Sequence, residues 1–144
     1  MASFIFDSMF YAGFTSQFNM TTSTFKVMQV PASFTPLQGT HSLKSQITSE
    51  ATGTNWPAGG IVIATSVSLD SINHQTFFTF GPFEQTGVTI ASPGTRYNII
   101  YEASGTDSTS SLVACIDWGT SVIKTNEPLA LNLTTMILTH PTPK

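Results

Sequence analysis

Ile61-Val-Ile-Ala-Thr-Ser-Val-Ser-Leu69 is the most informative stretch of this chain. Ile61, Ile63, Thr65, Val67 and Leu69 alternate with Val62, Ala64, Ser66 and Ser68. A period of two is the mark of a strand with one face inward. The same period returns towards the C-terminus. His74 to Phe80 reads as a strand that ends at Gly81-Pro82. Val88 to Ala91 reads as a short one, closed by Ser92-Pro-Gly94. Arg96 to Glu102 carries Tyr97, Ile99 and Tyr101 on one face, and Ser111 to Asp117 carries Leu112, Ala114 and Ile116. Val122–Lys124, Leu129–Thr135 and Met136–Thr139 complete the set. Many short strands at this spacing imply a β-sandwich or a jelly-roll-like barrel.

The N-terminal third reads differently. Phe6, Phe10, Phe14 and Phe18 recur every fourth residue, the stripe of a helix over about residues 7–17 with Asp7 as its cap. The stripe is expected to pack into the core. Thr22 to Val30 is a strand stopped by Pro31, and residues 31–40 are a loop. Thr40 is placed to cap a short second helix in which Leu43 and Ile47 share a face. Residues 49–60 form a long polar loop around Trp56. The expected architecture is therefore mainly β and single-domain, with an N-terminal helix and one further short helix. It spans residues 1–139, and His140-Pro-Thr-Pro-Lys144 forms a Pro-rich tail.

Composition narrows the function. The chain has 144 residues, the size of one domain. Charged residues make up only 9%, against an average near 25%. Ser and Thr number 17 and 23, so hydroxyls must clothe the surface. Five basic residues, Lys26, Lys44, Arg96, Lys124 and Lys144, are scattered and make no stripe for a phosphate backbone. No apolar run approaches a membrane span. Met1 to Asp7 lacks the basic start of a secretory signal, so synthesis and retention in a cytosol are expected. No nucleic-acid or membrane partner is expected.

Enzyme motifs are sparse. His41, His74 and His140 share no metal-ligand spacing and are expected to be solvated. There is no Gly-x-Ser-x-Gly elbow and no phosphate loop. Cys115, on an alternating strand, reads as a small buried hydrophobe. Asp107 reads as a turn residue bonded to its own backbone. No catalytic residue, cofactor or metal is expected. A β protein with so few charges has few guards against association. Its 11 Phe, 3 Tyr, 2 Trp and 5 Met supply interface anchors.

Several stretches also carry a resemblance. They are Thr24-Phe-Lys-Val-Met-Gln-Val30, Ile47-Thr-Ser-Glu-Ala-Thr-Gly-Thr54 with Gly59-Gly60, and Arg96-Tyr-Asn-Ile-Ile-Tyr101. They run on into Ser104-Gly-Thr-Asp-Ser-Thr-Ser110 and Leu112-Val-Ala-Cys-Ile-Asp117. Together these resemble small structural proteins from the virion gene clusters of tailed bacteriophages. Glu102-Ala103, Ser111 and Cys115 depart from that pattern, where Lys-Asp, Pro and Tyr are usual.

The resemblance implies a virion component. The leading expectation is a capsid decoration or cement protein on the capsid exterior. Its partners would be the major capsid protein and copies of itself, in a homo-oligomer. The expected contacts are Asn55, Trp56 and Pro57 in the long loop, and His140, Pro141 and Pro143 in the tail. Trp56 has an equal alternative as a plug over the end of the sandwich. Other readings are a tail, neck or baseplate component, and a virion-surface carbohydrate-binding module using Trp56, Trp118, Tyr97 and Tyr101. Alternation is expected to bury the two tyrosines. A hydrolase ranks last.

Overall fold

The computed structural model describes residues 3–131 and 134–139. It is a mainly β, sandwich-like fold of two sheets. A five-stranded sheet has the order β1-β7-β6-β2-β3, with β1 Phe4–Ile5, β2 Phe25–Val30, β3 Ile61–Ile63, β6 Phe83–Glu102 and β7 Leu112–Leu131. A three-stranded sheet has the order β4-β5-β8, with β4 Thr65–Asp70, β5 Gln75–Phe80 and β8 Thr134–Thr139. All neighbouring strands run antiparallel.

The Ile61–Leu69 alternation is real but serves two sheets. It breaks at Ala64, so β3 pairs with β2 while β4 pairs with β5.

Strand lengths differ most at β6 and β7. Ser92-Pro-Gly94 does not end a strand. Ile90 pairs with Lys124 and Thr95 with Val122, so five steps along β6 oppose two along β7. The next interval reverses this: Thr95 to Tyr97 opposes Val122 to Asp117. One bulge absorbs the Pro-Gly segment, and a second, around Gly119, restores the register. Two strands of 20 residues result where the sequence suggested five shorter ones.

The helix α1 covers Asp7–Phe14, shorter than expected. Phe6 holds the N-cap position and Asp7 lies in the first turn, where its negative charge suits the helix dipole. Ser16 has a positive φ of 60° and turns the chain away, so Phe18 is not part of the helix. The Phe stripe therefore divides. Phe6 and Phe18 are buried, Phe10 and Phe14 are exposed, and Met9 and Ala12 form the buried face. The expected second helix is one 3-10 turn, Lys44–Gln46. Thr40 does not cap it. Gln46 Oε1 accepts from the Ser42 and Leu43 amides at 2.7 and 2.9 Å.

Both faces of the five-stranded sheet are buried. On one, Phe25, Val27 and Ile100 pack with Phe80, Val88, Ile90 and Leu129. On the other, Met28, Val30, Tyr97, Ile99 and Tyr101 pack with Phe6, Leu112 and Cys115 under the loop carrying Phe34 and Ile47. A polar chain crosses the first core. Thr95 Oγ1 donates to Gln29 Oε1 at 2.8 Å, and Gln29 Nε2 donates to Asn98 Oδ1 at 2.6 Å. All three residues are buried, and the Asn98 amide completes the chain by donating to the Ile116 carbonyl at 3.4 Å.

Candidate functional site

Loop 49–60 was expected to carry contacts. Its geometry makes Trp56 a plug instead. Thr54 exchanges both backbone bonds with Thr89, at 3.0 and 3.1 Å. Asn55 adds a side-chain bond to the Gly87 carbonyl at 3.1 Å. Gly60 anchors the far end at a φ of 73°, and its Cα sits so near the Val27 carbonyl that no side chain fits. Trp56, held between, is 0% exposed and rests on Phe83 with ring centroids 5.7 Å apart. It cannot touch a partner from there. Asn55 and Pro57 are exposed on the loop's outer side, while His140, Pro141 and Pro143 lie outside the described residues. Tyr97 and Tyr101 are buried as alternation implied. The sugar-stacking reading thereby loses three of its four aromatic faces.

Two polar clusters remain. Lys26, Lys44, Glu50, Tyr101 and Asp107 line a cleft of about 420 Å³. Its groups are tied to one another. Lys44 Nζ meets Asp107 Oδ2 at 2.8 Å and lies 5.6 Å from the centre of the Tyr101 ring. The Asp107 carboxylate thus clasps a distant lysine rather than its own loop. That loop is held by the Ser104, Thr109 and Ser110 hydroxyls. The Gly59 amide donates to Glu50 at 2.6 Å, and the Tyr101 hydroxyl donates to the Gly59 carbonyl at 2.6 Å. Burial raises the Glu50 carboxyl and pushes the Tyr101 phenol up to about 12. These bonds fasten the Lys44–Gln46 turn to Asp107, and the Gly59 end of loop 49–60 to β6 through Tyr101.

The second cluster is the pair of Arg96 with Asp117. Two parallel bonds of 2.8 and 3.0 Å join them, and the Asp117 side chain has no exposed surface. Arg96 holds the Asp117 carboxyl down at about 2. Cys115 is buried, and burial pushes its thiol up to about 12, far from a reactive thiolate. His41 Nδ1 accepts from the Leu37 amide at 3.0 Å, and its ring stacks on Phe34. Partly buried, it is less solvated than expected. Among the described residues, no three His, Cys, Asp or Glu side chains converge as metal ligands.

The distinctive surface is apolar. Among the described residues, eight of the eleven exposed large hydrophobic side chains lie on α1 or on the three-stranded sheet and its turn: Phe10, Tyr11, Phe14, Val67, Leu69, Ile72, Ile137 and Leu138. Phe14 is 82% exposed, Leu69 68% and Ile72 87%. The strand register explains the concentration. Val67 pairs with Phe78 and Phe78 with Met136, while Leu69 pairs with Thr76 and Thr76 with Leu138. These residues share one face of the sheet. Near Phe80 that face closes onto the core. Further along it opens into a groove of about 570 Å³ between the sheet and α1, lined by Phe10, Phe14, Phe18, Val67, Phe78 and Leu138. Patches of this kind mark interaction surfaces. Phe10 and Phe14 had been assigned to the core, so reading the sequence missed this surface. The uninterrupted apolar set at 67, 69, 136 and 138 was the available signal.

No protein-family model, curated protein or solved structure matches the chain.

Proposed function

We propose that this chain is a structural component of a bacteriophage virion, a decoration or cement protein seated on the outside of the major capsid protein shell. The carrying observation is the apolar surface shared by α1 and the three-stranded sheet. A monomer with 9% charged residues gains little by exposing Phe14, Leu69 and Ile72 to water. A protein that spends its life against a partner has use for such a patch. The resemblance of Gly105–Ser110 and its flanking strands to phage virion proteins supplies the setting. Many modest contacts, repeated over a shell, add through multivalency.

The reading is tested with shells of the encoding phage that lack this chain. Purified wild-type protein is expected to co-sediment with them. The double variant Phe14→Ser, Leu69→Ser is expected to stay in the supernatant while keeping its thermal midpoint. Failure of the wild type to bind would refute the capsid reading.

A further inference from the structure

We infer that two copies of this chain pair in solution through β8, edge to edge and antiparallel about a two-fold axis at Ile137. The contact runs along the outer edge of β8 rather than across the groove above, with Leu138 bordering both, and it needs no capsid. β8 is an outer strand of its sheet, bonded on one side to β5. Its sequence, Thr-Thr-Met-Ile-Leu-Thr, contains no charge and no proline. Those are the usual devices that stop an edge from pairing.

The opposite edge is less suitable. β4 ends at Asp70, whose carboxylate is committed to the turn through Ile72 and Asn73. Its other end is tied by Thr65 Oγ1 to the Met20 carbonyl at 2.9 Å.

The register makes a second copy the fitting occupant. Side chains alternate between faces, so a symmetric antiparallel pair must bring like faces together. With Ile137 opposite itself, Met136 meets Leu138 of the second copy and Thr135 meets its Thr139. Each is a favourable cross-strand pair, and no like charges face one another. Ile137 is 54% exposed in the single chain. An apolar groove of about 190 Å³, lined by Phe4, Ile5, Ile116 and Met136, opens beside the Thr135 end of β8, where the incoming strand would leave. A six-residue strand pair is small beside the roughly 1,200–2,000 Å² of a standard interface. The dimer should therefore be weak and concentration-dependent.

Sedimentation of the full chain from about 10 μM to about 1 mM tests the inference. A monomer–dimer equilibrium is expected. Ile137→Lys, which sets two ammonium groups face to face, should weaken it about tenfold or more without changing the circular dichroism spectrum. Ser66→Lys, on the β4 edge, should leave it unchanged. Should Ile137→Lys fail to fold, cysteine variants read the same register. Oxidised Ile137→Cys should yield a covalent dimer, and Thr135→Cys should not. A chain that stays monomeric, a dimer indifferent to Ile137→Lys, equal cross-linking at 135 and 137, or growth beyond dimers would each overturn the inference. Loss of shell binding with an intact dimer would count against the capsid reading alone.

Discussion

Asp117 and Arg96 make the fold sensitive to acid at a single residue. The bonds from Arg96, helped by the Gly119 amide, hold the Asp117 carboxyl at about 2, below its ordinary 3.8. A carboxylate held down in the folded state adds stability above its unfolded value and loses it as pH falls through the folded one. The stability gap between the wild type and Asp117→Asn should therefore be widest above pH 3.8 and close as pH approaches about 2. Denaturant titrations across that window check it. Glu102 works the other way. Burial raises its carboxyl, so its charge opposes folding near neutrality, and Glu102→Gln should raise the thermal midpoint at pH 7. Trp56 supplies a third residue-scale test. Truncation to Ala empties a filled site at the end of the core and should cost about 3–5 kcal/mol by chemical denaturation. A surface contact residue would cost far less.

At the scale of elements, the chain's local rules and its pairing pull in different directions. Alternation identified nearly every stretch that is β: residues 25–30, 75–80, 96–102 and 112–117 all lie in strands. It could not say where strands join. Ser92-Pro-Gly94 has the chemistry of a stop, but a partner strand with a matching bulge carries the pairing through it. Gly94 makes the bulge possible. Its φ is 78°, and its Cα lies so close to the Val122 carbonyl that a methyl group would collide. Gly94→Ala should cost about 2 kcal/mol or more, read from the denaturation midpoint. Helix α1 shows the opposite limit. A spacing of four implied a longer helix with a buried Phe stripe, but Ser16 adopts a left-handed conformation and ends it early. Nothing in the local sequence marks that residue as a break. Tertiary context decides, and it turns Phe10 and Phe14 from core residues into surface.

At the scale of the molecule, this exchange gives the chain its character. The two buried faces of the five-stranded sheet provide a stable body. The three-stranded sheet and α1 add an apolar surface that the body does not cover. Composition alone implies exposed apolar surface, because few charges and many aromatics leave little else to cover the molecule. The place of the exposed apolar surface was hidden, since it depends on which strands share a face across two sheets. Of the two equal readings of Trp56, contact anchor or plug, its complete burial fits the plug. A tryptophan in a polar loop has the profile of an anchor until the loop folds it inward over Phe83.

The decisive experiment for the proposed capsid role is cryo-electron microscopy of an intact virion of the phage that, on this proposal, carries the chain. Density for this chain is expected on the capsid exterior, with Phe14 and Leu69 turned towards the major capsid protein. A particle without the chain, or a chain bound with α1 and the three-stranded sheet facing solvent, would contradict it.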